Sequence, residues 1–297
     1  MKRETYAAID IGSNAIRLLI DYAETYNDNR TEFKQTAFVR VPIRLGDDVF
    51  LRSHVAENKI EALCDAMQGF SSLFRAFAVR DYRACATSAM REAANGADII
   101  ERIRLRSGID VEIIDGVQEA ETIFDAGGLG SVIDRDKSYF YVDVGGGSTE
   151  VVIYASGGKI DAQSFALGTV RILTGAAREQ EWHRFGEWLS AAAEKWRPSG
   201  IIASGGNINK AHKLLDKRSK ECISDKELRK LRKRLEALSL EERMERYSMN
   251  SSRAEVIVPA LTIFTTAVER CGIESIFVPK LGLADGIVRQ LYKRYNP

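Results

Sequence analysis

Two short stretches of the chain carry the residue types best suited to chemistry, and they resemble each other: Ala8-Ile9-Asp10-Ile11-Gly12-Ser13-Asn14 and Tyr141-Val142-Asp143-Val144-Gly145-Gly146-Gly147-Ser148-Thr149. Each puts a carboxylate at the end of an apolar, β-rich run, beside a turn whose small residues leave backbone N–H groups uncrowded. Such a turn can cradle phosphate oxygens. In the second, three successive glycines remove three side chains, and the hydroxyls of Ser148 and Thr149 add donors. Asp10 and Asp143 would repel bare phosphate, so the chemistry that suits them is holding a hydrated Mg²⁺ that bridges to substrate oxygens. One Asp-x-Gly turn also occurs in ordinary β-hairpins; two in matched context say more.

Other candidates lie close to these turns. Arg17 interrupts the apolar run Ile16-Arg17-Leu18-Leu19-Ile20 at a parity shared with nonpolar positions, which suits a solvated face poorly. A guanidinium fork there can bind phosphoryl oxygens bidentately and stabilise developing charge. Glu150 alternates out of phase with Val151, which fits a metal or water ligand and equally an exposed strand glutamate. Glu119 and Arg91, read alone, are a first-turn glutamate that favours the helix dipole and an arginine at a helix start.

The elements that must position these residues follow from periodicity. Residues 6–11 and 16–22 read as antiparallel strands around Gly12-Ser13-Asn14, with a third strand over 33–41. A helix is predicted over 55–78, a strand over 82–86, a helix over 89–106, a strand over 111–114 and a helix over 117–126, the pattern of an α/β domain. The second half opens the same way, with strands over 139–144, 150–154 and 159–165. An internal duplication is the simplest account, and two such units facing one another would form a cleft. Helices follow over 168–195, 207–215, 225–237, 251–270 and 283–294, with strands over 201–203 and 275–278. Ser224-x-x-Glu227 and Ser239-x-x-Glu242 are capping-box patterns. Domains of 1–126 and 127–297 are expected, divided near Gly127-Gly128, with the last helix packing back on the first and closure over substrate as a consequence.

Beyond the two turns, several segments in order resemble the exopolyphosphatase/guanosine-pentaphosphatase family. Asp10-x-Gly12-Ser13-Asn14-x-x-Arg17 and Asp143-x-Gly145-Gly146-Gly147-Ser148-Thr149-Glu150 are similar to its two phosphate motifs, and Thr87-Ser88-Ala89-Met90-Arg91-Glu92-Ala93-Ala94-Asn95 and Gly116-Val117-Gln118-Glu119-Ala120 to the segments between them. Gly168-Thr169-Val170-Arg171, Ser204-Gly205-Gly206-Asn207, Arg253-Ala254-x-Val256-Ile257-x-Pro259 and Gly282-Leu283-x-x-Gly286 resemble later blocks. The resemblance implies a duplicated ribonuclease-H-like fold, shared with actin, chaperone ATPases and sugar kinases. It also implies hydrolysis of the terminal phosphoanhydride bond of inorganic polyphosphate, or of the 5′-terminal phosphate of guanosine pentaphosphate, with Mg²⁺ or Mn²⁺. Glu119 would then be the general base. Gly12, Ser13, Asn14, Arg17, Ser88, Arg91, Gly145, Gly146, Gly147, Ser148 and Thr149 would bind phosphate, and Asp143, Glu150 and Asp10 the metal. Three positions depart from the pattern: Gln118 replaces the first of two glutamates, Asn207 a threonine or serine, and Ala284 an arginine, which bears on substrate choice more than on reaction type. The rivals are a kinase or ATPase of the same superfamily, with Ser204-Gly205-Gly206-Asn207 contacting adenosine, and a non-catalytic sensor of polyphosphate or a guanosine alarmone.

Composition excludes broader alternatives. Among 297 residues, 45% are hydrophobic and 29% charged, and 43 basic against 42 acidic side chains leave a net charge of +1. No global field draws the chain to nucleic acid or a membrane surface, so any polyanion site is local. Basic residues crowd from Lys210 to Arg234, interrupted by Asp216, Glu221, Asp225 and Glu227. A solvated helix face is the default reading there, a polyanion track through Lys230 and Lys233 the alternative. Cys64, Cys85, Cys222 and Cys271 lack metal or redox spacing and read as buried free thiols, and His54, His183 and His212 are dispersed. No apolar leader or membrane-length run is present, so a cytoplasmic protein is expected. A homodimer stays open.

Overall fold

The computed structural model describes residues 2–28, 30–124, 134, 136–218 and 221–297; the Gly127-Gly128 junction lies outside them. The chain divides into two compact units, Met1–Gly127 with Gly282–Pro297, and Gly128–Leu281. Each has its own sheet and apolar core.

The first unit opens with an antiparallel meander, β1 (Lys2–Ile11), β2 (Ile16–Thr25) and β3 (Thr31–Val41). It continues through α1 (Leu45–Arg52), α2 (Glu57–Ala76), β4 (Asp81–Ala86), α3 (Ser88–Glu92), α4 (Gly96–Ser107), β5 (Val111–Ile113) and α5 (Gly116–Phe124). Strand order is β3-β2-β1-β4-β5, with β4 parallel to β1 and β5 parallel to β4. Alternation sorts the faces. Ile9, Ile11, Ile16, Leu18 and Ile20 join Leu63, Met67, Ile99 and Ile103 of α2 and α4 in one core, while the closing helix (Leu283–Tyr295) packs against β1, β2, β4 and α5. The helix predicted over 89–106 is broken in two. Asn95 breaks it by bonding both ways with Val55, accepting from its N–H and donating to its carbonyl, each at 3.0 Å.

The second unit repeats the plan with β6 (Tyr139–Val144), β7 (Thr149–Ala155) and β8 (Gly158–Phe165). Then come α6 (Thr169–Leu173), α7 (Glu179–Trp196), β9 (Ile201–Ser204), α8 (Gly206–Leu214), β10 (Ile223–Ser224), α9 (Asp225–Glu236), α10 (Leu240–Tyr247), α11 (Ser251–Cys271) and β11 (Ser275–Phe277). Both foreseen capping boxes form, at Ser224 and Ser239. Read from its β8 edge, the sheet runs β8-β7-β6-β9-β11-β10, the order of the first sheet with one short antiparallel strand added. Two sheets of this order make a duplicated ribonuclease-H-like fold. The duplication extends to register, because Asp10 faces Arg17 across β1 and β2 where Asp143 faces Glu150 across β6 and β7. No helix among the described residues is long and apolar enough to cross a membrane.

Under the closing helix the first unit buries an acidic pair. Asp21 is 7% exposed and its Oδ1 has no hydrogen-bond partner among the described residues. Burial and the nearby Asp285 raise its pKa from 3.8 to about 6, against the opposing pull of Arg289. A raised acid pKa means that between about pH 4 and 6 the native chain holds a proton the unfolded chain has released. Asp21 therefore costs least below pH 4, and stability falls as pH rises through about 6. Asp21→Asn should raise stability at pH 7 by about 1–3 kcal/mol, with the gain shrinking toward pH 4 in urea denaturation; an equal effect at both pH values would show that charge is not the cause.

Candidate functional site

In the first unit the candidate residues spring from the carboxyl end of the sheet. Thr87 N–H donates to Ile11 O and Ile114 N–H to Ala86 O, so the ends of β1, β4 and β5 are stitched side by side. The β1–β2 turn closes with Gly12 N–H on Ala15 O at 3.2 Å, and the carbonyls of Ser13 and Asn14 accept from Gly46 N–H at 2.8 Å and Arg44 N–H at 3.2 Å. Arg44 holds a left-handed φ of 60° at that contact, a conformation costly for arginine. In a trans peptide the carbonyl and the following N–H point in opposite directions. Engaging the Ser13 and Asn14 carbonyls therefore turns the N–H groups of Asn14 and Ala15 away from α1. Asp10 is buried and ion-paired with Arg17 at 2.5 Å. On α3, Ser88 Oγ donates to Glu92 at 3.1 Å and Arg91 to Ile114 O at 2.6 Å.

Glu119 lies in the first turn of α5. Asp115 N–H donates to Gln118 Oε1 at 3.0 Å and Gln118 N–H to Asp115 Oδ1 at 2.8 Å, a reciprocal cap that fixes where the helix begins. This explains why glutamine serves at 118, since the cap needs only an acceptor oxygen. Against α5 lies Gly286 of the closing helix, where an added Cβ would sit 1.9 Å from Thr122 O. Only glycine lets the two helices approach this closely.

In the second unit the β6–β7 turn closes with Gly145 N–H on Ser148 O at 3.0 Å. Its three glycine carbonyls all face the start of α6. Gly145 O accepts from Thr169 N–H, Gly146 O from Val170 and Arg171 N–H, and Gly147 O from Arg171 Nε at 2.7 Å. The orphan donors of a helix N-terminus are thereby satisfied by the turn, and by the same peptide geometry the N–H groups of Gly146, Gly147 and Ser148 face the other way. Gly168 permits the approach, because a Cβ there would lie 2.4 Å from Gly146 O. Thr149 is fully buried and its hydroxyl donates to Leu167 O at 2.6 Å, so it braces the turn.

Asp143 and Glu150 are 8% and 1% exposed, so the alternative of an exposed strand glutamate falls. Their carboxylate oxygens approach within 4.8 Å, and Ser164 Oγ donates to Glu150 Oε1 at 3.0 Å. Two buried anions this close repel, and hard oxygen donors of this kind suit a divalent cation. Beside them, Gly205 adopts φ 111°, where a Cβ would meet Val144 O at 2.9 Å. The place of a Gly206 side chain is taken by the Arg253 guanidinium, 2.7 Å from an ideal Cβ, which donates to Asn207 Oδ1 at 3.0 Å. Two of the basic residues on α9 are ion-paired, Arg229 with Asp225 and Glu269 and Arg232 with Glu236, and nearby Lys217 pairs with Glu227, while Lys230 and Lys233 are exposed. Of the four cysteines expected to be buried, Cys64 and Cys85 are, with Cys85 donating to Glu112 at 3.5 Å, whereas Cys222 and Cys271 are only partly buried. Sequence reasoning gave no role to Arg171, Gly168 or Gly286, although all three fall in the resembling segments.

A glycine-bearing turn whose N–H groups point away from the helix start it caps, beside a buried carboxylate and repeated in each ribonuclease-H-like unit, suits a phosphoryl-handling protein of the duplicated class. The chain belongs to the Ppx/GppA phosphatase family, whose model matches residues 29–295. It is similar over 98% of its length to 98% of an exopolyphosphatase from Cytophaga hutchinsonii, with 25% identity and a TM-score of 0.84. Likewise it matches the Aquifex aeolicus member of the Ppx/GppA family, over 100% of both chains, with 25% identity and a TM-score of 0.80. A bifunctional 3-dehydroquinate synthase/phosphatase of Fusobacterium nucleatum is 30% identical over 195 residues, which are 64% of this chain and 29% of that longer protein.

The helix contact at Gly286 gives a direct test. Gly286→Ala forces a methyl group onto the Thr122 carbonyl and should destabilise the first unit by about 1–3 kcal/mol or more, lowering the urea midpoint; an unchanged midpoint would mean the two helices can separate without penalty.

Proposed function

We propose that the protein hydrolyses the terminal phosphoanhydride bond of an oligophosphate, either inorganic polyphosphate or the 5′-phosphate chain of guanosine pentaphosphate. The reading rests on one repeated observation: at the same register of both sheets, turn N–H groups face away from the helix start that holds the turn's carbonyls, beside a buried carboxylate. The exopolyphosphatase among the similar structures supports it.

The N–H groups of the Gly12–Ala15 and Gly145–Ser148 turns bind phosphoryl oxygens, with the Ser88 hydroxyl adding a donor and the guanidinium groups of Arg17 and Arg91 adding positive charge whose attraction grows as negative charge develops in the transition state. Asp10, already ion-paired with Arg17, aims that fork. Glu119 orients a water and accepts its proton while the new O–P bond forms, the anhydride O–P bond breaks and the shortened chain departs with the bridging oxygen. Asp143 and Glu150 would hold a divalent cation, Mg²⁺ or Mn²⁺, which supplies charge neutralisation at the phosphoryl oxygens. Gly12, Gly145, Gly146 and Gly147 keep side chains out of the way. The kinase or ATPase reading would have adenosine contact the Gly205-Gly206 loop, where the Arg253 guanidinium already lies against Gly206 and bonds Asn207.

The test is phosphate release from long polyphosphate, tripolyphosphate, guanosine pentaphosphate and ATP, with Mg²⁺ or with EDTA. Turnover of one or more of the first three above ATP is expected, lost in EDTA. Glu119→Gln should lower kcat by roughly 10²-fold or more with KM nearly unchanged. Phosphoryl transfer from ATP to an acceptor, or tight binding without release that Glu119→Gln leaves untouched, would replace this reading with the kinase or the sensor.

A further inference from the structure

One row of side chains crosses the first sheet on the face opposite its Ile9 and Leu18 core. Register sets Arg40 on β3 opposite Arg17 on β2, Arg17 opposite Asp10 on β1, Asp10 beside Cys85 on β4, and Cys85 beside Glu112 on β5. Partners in register share a face of the sheet. From the edge strand inward the row therefore reads cation, cation, anion, thiol, anion. Its inner members are tied to one another or nearby, Asp10 to Arg17, Cys85 to Glu112, and Glu112 to Arg83.

The outer pair is the anomaly. Like charges directly opposite each other on neighbouring strands are destabilising, and burial together with Arg17 pulls the Arg40 pKa down from its ordinary value. Arg17 is the first position after Ile16 on β2 and so lies at the mouth of the Gly12–Ala15 turn, whereas Arg40 lies one strand farther out, about 5 Å away across the sheet. Two guanidinium forks at that spacing suit two successive anionic groups on one chain.

Resting on the function proposed above, we infer that Arg40 is a second phosphoryl-binding residue. Arg17 holds the group at the turn, Arg40 grips the next one, and the oligophosphate runs outward along the row toward the edge strand. What Arg40 recognises is the phosphate chain, common to inorganic polyphosphate and a guanosine polyphosphate, and it selects oligophosphate over single phosphate.

Calorimetric titration of tripolyphosphate and of inorganic phosphate decides the matter, in a Glu119→Gln background so that turnover does not consume the ligand. Arg40→Gln should weaken tripolyphosphate binding roughly tenfold and phosphate binding less than twofold. Arg40→Lys, which keeps the charge and loses the fork, should fall between. Guanosine pentaphosphate in place of tripolyphosphate should show the same loss if its phosphate chain takes this path, and no loss would restrict Arg40 to the inorganic chain. Equal weakening of both ligands, or unchanged tripolyphosphate binding, overturns the assignment. Should Arg40→Gln fail to fold, unaltered selectivity in Arg40→Lys overturns it equally. A wild-type chain that shows this selectivity but releases no phosphate leaves Arg40 assigned and removes only the hydrolase reading, while one that binds no tripolyphosphate removes both.

Discussion

The geometry of the trans peptide governs how this protein can meet an anion. A carbonyl drawn inward sends the next N–H outward, with no freedom left to adjust. At Gly145–Ser148 three carbonyls in succession are drawn inward by the first turn of α6, and at Ser13 and Asn14 two are drawn by the start of α1. Each turn is thus made rigid by a helix that needed acceptors of its own. The helix start is capped and the anion nest is set by the same bonds. Glycine is required less for flexibility than for room, as Gly168 shows, where any side chain would collide with the turn it braces.

Concentrating polar groups at a sheet end is costly, and the neighbouring structure shows where the cost is carried. Asp143 and Glu150 sit within 4.8 Å in a buried setting, Arg17 faces Arg40, and Arg44 holds a left-handed backbone. None of these choices stabilises a fold taken alone. Local rules fail beside the β1–β2 turn of the first unit and, separately, beside the β6–β7 turn of the second, and each cluster is the mark of a surface shaped for a ligand.

Much of this was legible in the sequence. Matched Asp-x-Gly turns gave the duplication, whereas the pairing of Asp10 with Arg17 and of Asp143 with Glu150 emerges only from the strand register. The residues that hold those turns were not legible, because their work is done across long separations: Arg171 reaches back to Gly147, Gly286 presses on Thr122, and Arg44 caps Asn14. Periodicity reports which face of an element is buried and is silent about which backbone lies beneath it. The same limit explains the helix merged across Asn95, a residue whose partner, Val55, is forty positions away. Gln118 looked like a loss from the family pattern until its cap with Asp115 appeared.

Chain order adds a final constraint on Glu119. The second unit is continuous from Gly128 to Leu281, so it can assemble from its own segment, whereas the first is completed by Gly282–Pro297. Those last residues form the helix that covers β1, β2 and β4 and presses Gly286 onto α5. Until that helix has docked, α5 lacks the neighbour pressed against it, and the glutamate in its first turn lacks that brace. Contacts of such long sequence separation form late and at a high entropic cost. The residue with the most exacting geometric task in the proposed reaction is therefore braced by an element more than 160 positions away in the sequence.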